Sequence, residues 1–248
     1  MNGHRIYDYL NSRRERGKKS LAVLIDPDKT KKLDQLLRDA ERFPPDLFLV
    51  GSSIHGDENM NQCIGRIRKH TDVPVVLFPG NATQVTSSAD ALLLLSVISS
   101  RNPDLLIGRQ VEASIKVKQA GLEVIPTGYI LVESGALTTV QYISQSLPVP
   151  RHKPEIAVAT ALAGEQLGMK AIYLEAGSGA QYTVPEITVS AVRKSISSLL
   201  FTGGGITSAE MLHRVFHAGT DVAVVGNALE ANPELLQDLV TIKEESHS

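Results

Sequence analysis

Short, wholly apolar runs recur along the chain, most of them alternating with longer amphipathic stretches. The first is Leu21 to Ile25, followed by Leu47 to Val50, Val75 to Phe78 and Ala91 to Val97. A fifth starts at Glu123 to Pro126 and continues towards Val132. The last three end in Tyr173-Leu174-Glu175, Phe201-Thr202-Gly203 and Val224-Val225-Gly226. Runs that are apolar at every position predict strands buried on both faces, as in parallel sheets. Between them, the spacing predicts helices over 31–42, 59–69, 105–119, 155–167, 185–198, 208–218 and 232–243. Leu33, Leu36 and Leu37 share one face of the first. Pro44-Pro45 stops it, and Gly121 and Gly168 close two others.

Eight strands, most alternating with helices, within 248 residues predict a (β/α)₈ barrel in one domain spanning 1–248. A doubly wound open sheet is the competing arrangement. The third and fourth strands are joined only by Gly80 to Asp90, which is short for a crossover helix and rich in Thr and Ser. A modified barrel is therefore expected, its third helix reduced or replaced by a loop, with an open face beside the gap.

Composition narrows the setting. A formal charge of −2 suggests neither nucleic acid nor an anionic membrane surface as partner. The one cysteine, Cys63, has no internal disulfide partner. Met1 to Ser20 is polar and basic without the apolar core of a signal peptide, and no run reaches the roughly 18 residues of a membrane span. A cytoplasmic protein is expected, with Arg13 to Lys19 as a solvated basic face.

In such a barrel, chemistry gathers at the C-terminal strand ends. Glycines at Gly203 to Gly205 and at Gly226-Asn227 let backbone N–H groups approach phosphate oxygens. Thr207-Ser208 and Asn227 are candidate caps for the helices behind them. Tyr173 and Glu175 are two apart and share one side of their strand. Glu175 can act as a base toward a hydroxyl held by the neighbouring phosphate site, or form a rim salt bridge. Asp26, with Ser53 or Ser52 across the mouth, suits a hard cation such as Mg²⁺. Asp28 reads as a helix N-cap. His213 and His217 lie i, i+4 with no third ligand and read as surface residues. Asn81-Ala82-Thr83 matches a glycosylation acceptor, with no secretory signal to support it. Tyr142, Ile143 and Leu147 read as core or as a subunit contact.

The strand-end motifs together resemble the geranylgeranylglyceryl phosphate synthase family and its heptaprenylglyceryl phosphate relatives, over about 20–230. They are Leu24 to Lys29, Val50 to Ser53, Val76 to Gly80, Ser99 to Pro103, Pro126 to Tyr129, Tyr173 to Gly179, Gly203 to Ile206 and Gly226-Asn227. The residues past the fifth strand, Tyr142 included, look more like the archaeal-type branch and its bacterial members. The resemblance implies transfer of a prenyl group, geranylgeranyl by this likeness, from a polyprenyl diphosphate to the sn-3 hydroxyl of sn-glycerol 1-phosphate. It implies Mg²⁺ at Asp26 and Ser53. It places glycerol phosphate against Tyr173, Leu174, Glu175, Ala176, Gly177, Ser178 and Gly179, with Gly204, Gly205, Gly226 and Asn227. Catalysis falls to Glu175 and Tyr173, and Lys29 is a candidate to stabilise the departing diphosphate. Gly51-Ser52-Ser53 departs from the family's Gly-Gly-Ser at the second strand end. A groove near 80–90, lined by Leu93, Leu105 and Tyr129, would take the prenyl tail, and one groove residue would set its length. Relatives are commonly oligomers, so a homo-oligomer with at most transient membrane contact is expected. A phosphosugar isomerase, an FMN oxidoreductase or a non-catalytic phosphate binder would share the glycine cup.

Overall fold

Eight parallel strands pair in sequence order, and the last returns to the first. The computed structural model describes residues 5–51, 58–81 and 84–247. The strands are β1 (Ser20–Ile25), β2 (Leu47–Val50), β3 (Val75–Leu77), β4 (Ala91–Val97), β5 (Glu123–Leu131), β6 (Ala171–Glu175), β7 (Leu199–Gly203) and β8 (Val222–Val225). Pairing of β8 with β1 closes the barrel, which excludes the open sheet. The helices are α1 (Ile6–Glu15), α2 (Leu33–Arg42), α3 (Glu58–His70), α4 (Arg109–Ala120), α5 (Thr139–Ser144), α6 (Pro154–Gln166), α7 (Glu186–Ser195), α8 (Ala209–His217), α9 (Asn227–Ala231) and α10 (Leu235–Glu245).

Strand alternation sorts the apolar side chains into two layers. Ala22, Leu47, Leu49, Val76, Leu93, Ile125, Tyr173 and Phe201 fill the barrel interior. Leu21, Val23, Phe48, Val50, Leu77 and Leu92 face outward against the apolar sides of α2, α3, α8 and α10. On α2 these are Leu33, Leu36, Leu37 and Ala40, all buried.

The connection between β3 and β4 carries no helix in its described residues, 78–81 and 84–90, as the short spacing predicted. Buried Gln84 braces it by accepting from the Gly80 N–H at 2.8 Å.

Four features differ from the sequence reading. The N-terminal segment forms α1, whose Ile6 and Leu10 pack into the interior cluster and close the barrel's N-terminal end. Arg13 is consequently not on a solvated face: its guanidinium pairs with Asp46 at 3.2 Å and bonds Ser20 Oγ at 3.0 Å. Lys19 is buried as well. The helix expected over 105–119 starts as a π-helical turn, Asp104–Gly108, before α4. The helix α5, at whose start the Thr138 N–H donates to Gln141 Oε1 at 3.1 Å, follows β5, and its Tyr142 is exposed, as are Ile143 and Leu147. The helix expected over 232–243 forms as α10, and a short α9 that the sequence reading lacks precedes it, ending before Pro233, which has no N–H to continue it. No helix among the described residues is long and apolar enough to cross a membrane.

Candidate active site

The strand C-termini surround a cavity of about 280 Å³. Asp26, Lys29, Glu175, Gly177, Ser178, Gly179, Gly204, Gly205, Gly226 and Asn227 line its polar mouth. The same cavity continues to the outer face of β4 beneath α4, where Leu92, Leu94, Leu105, Ala113 and Val117 line it. It therefore has a polar end and an apolar end, and the apolar end lies beside the β3–β4 connection, which carries no helix in its described residues.

Glu175 ends β6, and its register opposite Leu131 and Gly203 sets it inside the mouth. The carboxylate is buried and accepts from the Gly177 N–H at 2.5 Å. Tyr129 and Tyr173, paired across β5 and β6, bring hydrogen-bonding phenols to it. Burial pushes the Glu175 pKa up, and the Gly177 N–H and the two phenols oppose that. Burial, together with the nearby Glu175 charge, holds both phenols well above the usual tyrosine value, so they stay protonated and donate. The rim salt bridge considered for Glu175 is absent among the described residues; hydrogen bonds take its place. The sequence places Tyr129 in a strand-end motif and in the groove lining; its pairing with Glu175 is a long-range consequence of strand register.

Tyr173 sits in an aromatic cluster. Its ring lies 5.3 Å from Phe78, 5.3 Å from Tyr129 and 6.0 Å from Phe201. Gly203 makes room for it, since a Cβ there would fall 2.2 Å from the Tyr173 hydroxyl. Gly204 holds φ +82°, and a Cβ there would meet Glu175 Oε1 and the Gly177 N at 2.7 Å. This turn needs glycine both for its dihedral and for its close approach. Leu174 and Ala176 are buried against the outer layer, so what they offer the mouth is backbone.

Three loops meet at the glycine-rich end of the mouth. Asn227 Nδ2 donates to Ser178 Oγ at 3.0 Å, which ties the β6 loop to the β8 loop. Asn227 is thus the first residue of α9 and not a cap, whereas Ser208 caps α8 by accepting from the Met211 N–H at 3.2 Å.

Asp26 lines the mouth across from these loops. Its Oδ1 accepts from the Asp28 N–H at 3.1 Å, and its Oδ2 lies 3.4 Å from Lys29 Nζ. Asp28 bonds Asn59 Nδ2 at 2.8 Å and caps no helix. A positive group already stands against Asp26, which suits a carboxylate that faces a cation. No three His, Cys, Asp or Glu side chains converge among the described residues. Ser52 and Ser53 lie outside the described residues. The Asn81-Ala82-Thr83 motif also lies partly outside them. His213 and His217 stack at 6.3 Å on the exposed side of α8 and remain surface residues. Leu93, expected in the groove, faces the barrel interior; Leu92 and Leu94 line the groove, while Leu105 and Tyr129 do so as expected.

Residues 12–245 match the model of the PcrB family. The chain belongs to that family. This PcrB-family chain is 48% identical over 231 residues to a geranylgeranylglyceryl phosphate synthase from Spirosoma linguale, covering 92% of this chain and 93% of the relative. A geranylgeranylglyceryl phosphate synthase from Pyrococcus furiosus is 42% identical over 84% of each chain. The crystal structure of (S)-3-O-geranylgeranylglyceryl phosphate synthase from Thermoplasma acidophilum, in complex with sn-glycerol-1-phosphate, matches with a TM-score of 0.91 at 29% identity. That match covers 98% of this chain and 100% of the other. The family resemblance carried by the strand-end motifs is borne out across the PcrB barrel.

Proposed function

We propose that the protein transfers a prenyl group, geranylgeranyl by likeness to its relatives, from its diphosphate to the 3-hydroxyl of sn-glycerol 1-phosphate. The observation that carries this reading is the joined cavity: a glycine cup and a buried carboxylate at one end, and an apolar groove at the other. An anionic acceptor suits the first end, and an isoprenoid tail suits the second.

Ser178, Gly179, Gly204, Gly205, Gly226 and Asn227 at the mouth hold the glycerol phosphate, and the Tyr173 to Gly177 stretch, whose Ala176 and Gly177 N–H groups are given to the Gly203 carbonyl and the Glu175 carboxylate, frames that cup. Anchoring the phosphate there brings the acceptor hydroxyl to Glu175. The allylic C–O bond breaks and its electron pair leaves with the diphosphate. The glycerol oxygen bonds to that carbon, and its proton passes to Glu175. The faces of Tyr129, Tyr173 and Phe78 offer negative quadrupole to the positive charge on the allylic carbon. Tyr173 also orients Glu175 through its phenol. Mg²⁺ would be held by Asp26 with Ser53, and when bound it neutralises charge on the leaving diphosphate. Leu105 and Ala113 bound the groove for the tail.

The reaction belongs in the cytoplasm on this reading, in keeping with a buried, unbonded Cys63. Contact with membranes is transient, for delivery of the donor and release of the product. The reading also includes self-association: Ile107, Val111 and Ile115 are exposed at i, i+4 and i+8. A light-scattering mass equal to one chain would remove that element.

The deciding experiment supplies geranylgeranyl diphosphate, sn-glycerol 1-phosphate and Mg²⁺ to the purified protein. The expected product is one geranylgeranyl ether per glycerol phosphate by mass, with diphosphate released. The 3-phosphate enantiomer is expected to react far less. No ether product, or equal use of both enantiomers, overturns the reading.

A further inference from the structure

Two lysines of the β1–α2 loop reach across to α9. Lys32 donates to the carbonyl of Ala231. Lys29 Nζ lies 3.5 Å from Glu230 Oε2 and 3.4 Å from Asp26 Oδ2. One ammonium therefore stands between two carboxylates, and all three residues line the mouth of the cavity. Lys29 is half exposed, so neither pair contributes much to stability. The arrangement calls for another explanation.

Glu230 sits one turn after Asn227, and its N–H donates to the Gly226 carbonyl at 3.2 Å. The short helix that sets the acceptor-side loop thus also sets this carboxylate. Glu230 is mostly shielded, which keeps its bond to Lys29 less screened than a free surface pair. A divalent cation drawn to Asp26 repels the ammonium next to it. Glu230 is then the carboxylate left to hold Lys29.

We propose that Glu230 is a positioning residue for the leaving group: it keeps the Lys29 ammonium at the mouth when a cation takes Asp26, and so presents it to the donor diphosphate. This rests on the prenyl-transfer reading for its substrate. It adds a second positive contact beside the cation, from the opposite side of the loop. It also links the two halves of the site, since α9 carries both Asn227 and Glu230.

The test uses the full chain and two readouts. The first is calorimetric binding of inorganic diphosphate with Mg²⁺, which needs no turnover. The second is the KM for prenyl diphosphate against the KM for glycerol phosphate. Glu230→Gln and Lys29→Met are each expected to weaken Mg²⁺–diphosphate binding ~10-fold, as loss of one positioned charge does. The double variant is expected to bind no worse than Lys29→Met alone, because both changes remove one interaction. Glu230→Asp is expected to recover most of the binding. The donor KM should rise in step while the acceptor KM stays within ~2-fold, as expected for independent sites. Losses that multiply in the double variant, or unchanged binding in Glu230→Gln, overturn the proposal even if ether product forms. Coupled binding losses in a protein that makes no ether product support the positioning role and sink the transfer reading instead.

Discussion

Glu175 is pulled two ways, and the balance sets its chemistry. Burial raises its pKa, while the Gly177 N–H and two phenols favour the charged form. Because the shift remains upward, the acid limb of kcat/KM is expected above the ordinary value of 4.5. A raised native pKa means that the folded chain holds the proton more tightly. Glu175 therefore subtracts stability as pH rises from 4.5 through its raised pKa. Glu175→Gln should remove that slope, hold or raise the melting temperature, and cut turnover ~10²- to 10⁴-fold. Turnover near wild type would show that another group takes the proton. Gly204→Ala tests the cup beside it. The positive φ alone costs a side chain roughly 1–2 kcal/mol, and the new Cβ would crowd Gly177. A ~10-fold rise in the glycerol phosphate KM should accompany that loss, since misplaced N–H groups bind the phosphate less well; an unchanged KM would place the phosphate elsewhere. Tyr173 and Glu175 were legible together because strand parity puts i and i+2 on one side. Tyr129 as a partner of Glu175 was not, because only the β5–β6 register brings them together.

At the scale of elements, α4 does two things. Its inner face, through Ala113 and Val117, roofs the groove, while Ile107, Val111 and Ile115 stand outside along the helix and the turn before it. The π-helical turn at Asp104–Gly108 places Leu105 against the cavity before the α-helical spacing begins. The groove exists because no helix occupies the described part of the β3–β4 connection, a gap legible from length alone. Which face of β4 borders it was not legible. Ala91 to Leu95 is apolar at every position, so parity has no polar residue to mark the outside, and Leu93 was assigned to the wrong layer. The helix α1 was missed for a related reason. Only Ile6 and Leu10 carry its burial, and its first N–H groups are capped by Glu123 from the far start of β5, at 2.6 and 3.2 Å. Ala113→Phe fills the groove at a buried position. The KM for geranylgeranyl diphosphate should rise ~10-fold, about the discrimination that a changed apolar pocket supplies, with shorter prenyl diphosphates less affected. Equal effects on all donor lengths would mean that the tail lies elsewhere.

The whole barrel separates chemistry from stability along its axis. The mouth holds the carboxylates, phenols and glycine turns, whereas the opposite end holds a buried charge network. There Asp46 pairs with Arg13 at 3.2 Å and Lys243 at 3.5 Å, and its carboxylate accepts from the Leu21 N–H at 2.8 Å. Asp221 accepts from Arg193 at 2.6 Å and from the Leu200 N–H at 2.8 Å. Eight strands could be counted from the sequence because each carries a short apolar run. The network could not, because it joins residues far apart in the chain, such as Arg193 and Asp221, that no local pattern pairs. Its consequence is testable at the level of the whole molecule. Burial already raises the Asp221 pKa, with Arg193 the foremost group opposing it. Arg193→Met removes that opposition and strands a buried carboxylate, which costs about 3–5 kcal/mol. Without Arg193 the Asp221 pKa climbs further, so the folded state takes up a proton that the unfolded state does not. The deficit should therefore be largest at neutral pH and shrink as pH falls through the raised pKa. Urea midpoints at two pH values measure this. Because the pair sits at the N-terminal end of the strands, kcat for the protein that remains folded should stay near wild type. A deficit independent of pH would assign the loss to packing of the arginine stem, and a collapse of kcat at full folding would show that the two ends of the barrel are coupled.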